Sequence, residues 1–272
     1  VSDNGNGIQA EDLPLALAAH ATSKITELVD LYALNSMGFR GEALASIASV
    51  AKVSISSKPQ SQAHAMMIHY GTNRNSVQAC ARTVGTTIEV RDLFYNAPVR
   101  KKFLKSPRTE YLAIEAVIKR FALSAPHVEL HLKHNGTSLL SLPAANSSNA
   151  QLLRIKKLLG KAFVDDAIHL CVTNGSMELS GWVSGLNYQR SQNDKLWTYV
   201  NKRMVKDKLI LHAVKQAYDG VLHVGKFPAC VLYLTLPAQE VDVNVHPTKH
   251  EVRFQQPRLI HDFISSQIIR AI

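Results

Sequence analysis

The sequence predicts an α/β protein of two domains, and three observations carry that expectation. Segments with helical and with strand-like apolar spacing alternate along the chain, and a small, polar, proline-bearing stretch, Leu142–Ala150, interrupts them near the middle. The composition, 46% hydrophobic over 272 residues, supplies enough apolar surface for a core in each half. The domains read as 1–145 and 146–272.

The elements follow in chain order. Leucines and alanines at helical spacing predict a helix over Glu11–His20, and small and apolar residues predict another within Gly41–Val50, before a strand at Lys52–Ser57. Thr86–Val90 and Val128–Lys133 read as a further strand pair, separated by a long apolar helix, Tyr111–Ala122. Beyond residue 150 the pattern predicts a basic helix, Gln151–Leu159, and strands at Met177–Val183 and Lys195–Val200. A helix at Lys208–Tyr218 and strands at Ala229–Leu236 and Glu251–Phe254 complete it, with no internal repeat.

Composition narrows the function classes. No stretch of 18 or more apolar residues occurs, and the opening VSDNGNGI lacks the charged and apolar regions of a secretory signal, so the chain reads as soluble, intracellular and without a membrane partner. It starts without methionine on what looks like a strand end, which implies sequence upstream of Val1. Cys80, Cys171 and Cys230 lie far apart without CxxC spacing, which argues against a disulfide framework or a thiolate metal site. The formal charge is +10, divided as 15 − 11 = +4 up to residue 145 and 16 − 10 = +6 after it. With a pI near 9.5, such a chain attracts polyanions, nucleic acid among them.

The motifs point towards a nucleotide. Asp3-Asn4-Gly5-Asn6-Gly7 sets a carboxylate at a strand end before two glycines that let the backbone approach a flat ligand, and such an aspartate accepts the exocyclic amine proton of adenine. A calcium loop is disfavoured because the third and fifth positions from Asp3 are glycines. Gly5, Gly7 and Ala10 also fit a dinucleotide GxGxxA, with Glu27 or Asp30 further on. However, Glu11, Asp12 and Pro14 stand where pyrophosphate would meet the helix start, so the adenine reading ranks higher. In Gly38-Phe39-Arg40-Gly41-Glu42-Ala43-Leu44, paired glycines before a helix expose backbone N–H groups at its positive end, a phosphate cradle to which Arg40 adds donors. No GxxxxGK[ST] loop occurs, which excludes a P-loop. Gly85-Thr86-Thr87 offers a hydroxyl beside a close backbone approach.

In order and spacing DNGNG, GFRGEAL and GTT resemble the later nucleotide motifs of the GHKL ATPases, a superfamily that includes gyrase B, Hsp90, histidine kinases and MutL. Longer words are similar to one branch. HATSKI (20–25), GFRGEALASIASV (38–50), DLFYNAPVRKKFL (92–104), VNKRMV (200–205) and VDVNVHPTKHEVRF (241–254) look like signature segments of the MutL family of DNA mismatch-repair proteins, in family order across essentially the whole chain. The resemblance implies a GHKL/Bergerat-type α/β sandwich, with helices on one face of a mixed sheet, followed by an α/β domain like domain 2 of ribosomal protein S5. It implies ATP with Mg²⁺ as cofactors, Asp3 on adenine, Gly5 and Gly7 shaping its pocket, and Thr86 holding the base. Thr22, Ser23 and Lys24 would belong to the ATP site, Gly38, Phe39, Arg40, Gly41, Glu42, Ala43 and Leu44 to a lid over the phosphates, and Lys249 to the γ-phosphate. The superfamily's water-activating glutamate and Mg²⁺-binding asparagine stand on a helix before DxGxG, where this sequence has only Val1 and Ser2, so the polypeptide as given is expected to hydrolyse little or no ATP.

Because MutL proteins are similar in binding DNA without marked sequence preference, the basic residues Arg203, Lys206, Lys208 and Lys215 are expected to contact phosphates. Arg100, Lys101, Lys102 and Lys105 form a second basic cluster, suited to loop ordering or an interface. His246 and His250 have a possible metal spacing, but Pro247 lies between them, and no metal ligand is assigned in the chain. The resemblance further implies an ATP-dependent homodimer in the bacterial cytoplasm, associated with the nucleoid. Its expected partners are DNA, a MutS-type mismatch-recognition protein, a strand-nicking endonuclease and a helicase. The competing reading is a gyrase-B-like topoisomerase subunit, and a third class is a nucleic-acid-binding module without a nucleotide switch.

Overall fold

A computed structural model describes residues 1–18, 41–70, 76–242 and 251–272. The chain forms two compact units, Val1–Glu110 and Tyr111–Ile272.

The first unit is built on a four-stranded antiparallel sheet of β1 (Lys52–Lys58), β2 (Ala65–Tyr70), β3 (Gln78–Cys80) and β4 (Gly85–Arg91), in the order β3-β2-β1-β4. Strand β1 alternates so that Val53, Ile55 and Ser57 are buried, as a strand with one covered face must. Residues 1–3 run antiparallel along the free side of β4: Ser2 bridges Thr87, Ile88 N donates to Val1 O at 2.8 Å, and Asp3 N donates to Thr86 O at 2.8 Å. Leu13, Leu17, Ala48, Val53, Ile55 and Ile68 form the core, with Leu44 and Ile47 packed against it. Leu44 and Ile47 come from α1 (Ala43–Ala48), which begins where the glycine spacing predicts.

The helix expected over Glu11–His20 is, in its described part, a succession of turns ending in a 3₁₀ turn at Leu15–Leu17. Pro14 has no N–H to extend an α-helical ladder, and Leu17 and Ala18 bond three residues back, to Pro14 O and Leu15 O. A four-residue helix, α2 (Pro98–Lys101), closes the described elements of this unit, before α3 (Pro107–Ser124).

In the second unit five strands make a mixed sheet: β7 (Ala167–Asn174), β8 (Met177–Ser184), β9 (Leu196–Val200), β10 (Arg203–Val205) and β11 (Cys230–Thr235), in the order β10-β9-β11-β8-β7. Only the β9–β11 pair is parallel among them, and the intervening chain carries α6 (Lys208–Ala217), as a parallel crossover requires. One core holds Ile210, Ala213 and Val214 of α6 with Ile260, Phe263 and Ile264 of α7 (Pro257–Ala271). A second core gathers Leu123 of α3, Ile155 and Leu159 of α4 (Ser148–Leu159), and Phe163 of α5 (Lys161–Asp166) on Trp182, Tyr199 and Val231 of the sheet. Neighbouring strand residues such as Val231 and Leu232 thus serve different cores, which is why this sheet reads as nearly continuous apolar runs.

The expected pairing of Thr86–Val90 with Val128–Lys133 is overturned. Strand β5 (Leu130–His134) instead forms a hairpin with β6 (Thr137–Leu142), because Asn135-Gly136, both at positive φ, supplies a two-residue turn. The stretch following β6 is tied into the second unit: Ala145 N donates to Pro126 O at 2.8 Å, and the buried Arg154 donates to Pro143 O at 2.7 Å and Ala122 O at 3.0 Å. A short ribbon of β12 (Val241–Asp242) and β13 (Arg253–Phe254) precedes α7. No helix among the described residues is long and apolar enough to cross a membrane.

Candidate nucleotide site and basic face

Asp3 stands at the end of the segment paired with β4, and its position is held from several directions. Its Oδ1 accepts the backbone N–H groups of Gly5 at 2.9 Å and Thr86 at 3.1 Å. Oδ1 thus locks the side chain, and among the described residues no donor reaches Oδ2. Arg82 supports this arrangement by donating to Asp3 O at 2.8 Å and, through Nε, to Thr87 Oγ1 at 3.1 Å.

Two glycines permit the close approach. Gly85 lies at φ +120°, and a Cβ there would fall 2.1 Å from Asp3 O. Gly7 lies at φ +76°, where a Cβ would meet the Lys58–Pro59 peptide at 2.6 Å. Any other residue at either position would push the aspartate segment away from β4 or the following turn away from β1.

Behind Asp3 sit two buried hydroxyls. Ser57, 0% exposed at the inward end of β1, accepts the Ile8 N–H at 2.7 Å and is 2.9 Å from the hydroxyl of Thr86, which is 6% exposed. Ser57 Oγ also lies 3.1 Å from Gly85 O. The pair therefore binds the turn after Asp3 to both β1 and β4. The sequence reading missed Ser57 and Arg82. The available signal for Ser57 was a hydroxyl in an otherwise apolar inward register, Val53-Ile55-Ser57; Arg82, in a segment without regular spacing, offered none.

Of the residues expected to form a lid, Gly41, Glu42, Ala43 and Leu44 are described. Gly41 takes a left-handed φ of +64°, Glu42 O accepts the Ser46 N–H at 2.9 Å to start α1, and Leu44 packs into the core. Thr22, Ser23, Lys24, Gly38, Phe39, Arg40 and Lys249 lie outside the described residues, as do His246 and His250. Among the described residues no three His, Cys, Asp or Glu side chains converge on a metal position.

Of the expected basic residues of the second unit, Lys206 and Lys208 stand at the start of α6 and Lys215 in its last turn. Asp207 caps that helix, its Oδ1 accepting Leu209 N at 2.9 Å and Ile210 N at 3.2 Å. Lys206 and Lys208 flank the cap and are exposed. Lys215 follows seven residues after Lys208, two turns or about 10.5 Å along the same face. Its Nζ stands 5.8 Å from the Phe227 ring centroid. Arg203, on β10, is half-buried, and the loss of solvent lowers its guanidinium pKa. Cations beside a helix N-terminus oppose its dipole, so Lys206 and Lys208 are not placed there for helix stability.

Comparison with known proteins adds an independent line of observation. A family profile described as "DNA mismatch repair protein, C-terminal domain" matches residues 155–272. The "DNA mismatch repair protein MutL" of Cellvibrio japonicus is 48% identical over 100% of this chain and 44% of its own length, and that of Pseudomonas putida strain GB-1 is 48% identical over 100% and 43%. The chain thus spans less than half the length of these relatives. Among solved structures, the Aquifex aeolicus MutL ATPase domain complexed with ADP is 28% identical, with a TM-score of 0.61 over 87% of this chain and 78% of that one. An N-terminal domain of a DNA repair protein reaches a TM-score of 0.77 at 26% identity, covering 99% of this chain and 83% of its own. The B-subunit of the DNA gyrase from Myxococcus xanthus, 10% identical with a TM-score of 0.54 over 98% and 78%, shares the fold alone.

Proposed function

Because the chain belongs to the MutL family of DNA mismatch-repair proteins, we propose that it is the nucleotide-operated part of a DNA-repair switch, which binds ATP at Asp3 and DNA on the basic face around α6. The observation that carries the nucleotide reading is the divided role of the Asp3 carboxylate. Oδ1 is consumed by two backbone N–H groups, while no described residue donates to Oδ2 of this exposed side chain. An acceptor held in this way selects a purine bearing an amine at the edge it meets, as adenine does, over one bearing a carbonyl. The related Aquifex aeolicus domain is complexed with ADP, which supports the same reading.

The remaining assignments rest on the family. Gly38–Leu44 closes over the phosphates, Lys249 reaches the γ-phosphate, and Mg²⁺ accompanies ATP. ATP binding drives homodimerisation, and the closed dimer engages DNA together with a MutS-type protein and downstream endonuclease and helicase partners, in the bacterial cytoplasm at the nucleoid.

The test is Asp3→Asn. Its Oδ1 still accepts from Gly5 and Thr86, so the fold survives, but its amide presents donors to the adenine amine. Loss of one hydrogen bond to a charged group corresponds to about tenfold to hundredfold weaker ATP binding. Equilibrium binding of a fluorescent ATP analogue to both proteins, with circular dichroism as the folding control, gives the answer. Equal affinities would remove Asp3 from the site. Hydrogen exchange over Gly38–Leu44 separates this proposal from a nucleic-acid-binding module without a switch: a non-hydrolysable ATP analogue protects the segment only if a nucleotide closes it.

A further inference from the structure

Helices α6 and α7 lie side by side on a shared core, and an imidazole from each meets on the more exposed side of that pair. His212 Nδ1 is 2.9 Å from His261 Nε2, and the second ring nitrogen of His261, Nδ1, is 3.1 Å from Asp262 Oδ1. His212 is exposed, the His261 side chain is 19% accessible and that of Asp262 68%. The proposed nucleotide and DNA functions make no use of this cluster.

Its chemistry is that of a metal-binding histidine pair. With Nδ1–H of His261 donated to the Asp262 carboxylate, Nε2 presents its lone pair, and the proton on His212 Nδ1 fills the gap between the rings. A carboxylate behind an imidazole whose opposite nitrogen points at a shared position is the arrangement that orients ligating histidines and raises their basicity. Metal–nitrogen bonds of about 2.0–2.1 Å at a tetrahedral angle place two nitrogens about 3.4 Å apart. Replacing the shared proton with a cation therefore asks the rings to separate by only about 0.5 Å, within reach of small side-chain rotations. The helices beneath are fixed by Ile210, Ala213, Val214, Ile260, Phe263 and Ile264, so the backbone is already in place.

We propose that His212 and His261 form a two-imidazole binding site for a divalent transition ion of the zinc class, with Asp262 as the positioning residue for His261. The protein supplies two ligands and water completes the shell on the exposed side. Lys208 and Lys215, one turn to either side of His212, and Arg258, one turn before His261, raise the local positive charge. That charge weakens binding of any dication, and the nitrogen donors select against Mg²⁺, which requires oxygen ligands. A bound ion would clamp α6 to α7 independently of the nucleotide site.

The experiment is a Zn²⁺ titration of the tag-free chain without nucleotide, read by the ring nitrogen resonances and by the thermal midpoint. The chain has 12 histidines, so variants identify the site. His212→Gln and His261→Gln each lower Zn²⁺ affinity at least tenfold, Asp262→Asn lowers it about tenfold, and Mg²⁺ at the same concentrations shifts nothing. His212 is exposed, so its variant keeps the metal-free midpoint, and this distinguishes lost ligation from lost folding. Unchanged Zn²⁺ affinity in both histidine variants overturns the site, and an unchanged affinity in Asp262→Asn overturns the role given to that carboxylate.

Discussion

Among single residues, those that matter most are the ones whose backbone or burial leaves no alternative. Gly85→Ala would place a methyl group 2.1 Å from Asp3 O at a φ of +120°. The strand of residues 1–3 must then leave β4, and both stability and nucleotide binding fall, the former by about 2 kcal/mol or more. Urea unfolding and analogue binding check the two effects together, and a variant that kept wild-type values would contradict the close packing. The cysteines give a second measurement. Burial pushes the Cys230 thiol up to about 12, whereas Cys171 is exposed. Iodoacetamide at pH 8 therefore labels Cys171 in the native protein and Cys230 only after denaturation, as mass spectrometry of timed samples would record. Asp3, Gly5, Gly7 and Thr86 were legible in the sequence because turn chemistry is written in short words. Ser57 and Arg82 were not, since what places them at the site is contact with the opening segment, 49 and 80 positions away at Ile8 and Ser2.

At the scale of elements, α6 brings a structural cap and a charged face together. Asp207 is 8% exposed and satisfies two N–H groups at the helix start. Asp207→Ala is expected to cost about 1–2 kcal/mol, while Asp207→Asn costs less because an amide oxygen still caps. Chemical denaturation of the pair tests this, and equal stability of the alanine variant and wild type would show that the cap contributes nothing. Elements with strong local signals appeared within a few residues of their expected positions: α3, α4, α6, β1, β8, β9 and β11. Those overlooked were β2, β3, β6, β7, β10, β12, α2, α5 and α7. The three-residue strands β3 and β10 are too short for an alternating pattern to emerge. In β7, only Leu170 is fully buried, so its sequence does not read as a core strand. The turns after Glu11 failed as a helix because one proline outweighed the periodicity around it.

For the whole molecule, the net charge of +10 becomes a function only where it is concentrated. If Lys206 and Lys208 each neutralise one phosphate, the double alanine variant reduces the slope of log K against log salt for DNA binding by about two and weakens binding evenly across sequences. Fluorescence anisotropy at several salt concentrations measures it, and an unchanged slope would move the DNA face elsewhere. By itself the sequence determined the family, the α/β class and the turn residues of the nucleotide motifs, because local backbone chemistry and periodic burial act over a few neighbouring positions. Only the tertiary structure decided that Ser57 and Arg82 stand behind Asp3, and that His212 meets His261 across two helices. Those outcomes depend on strand register and helix packing between distant segments, and no spacing within a single segment encodes them.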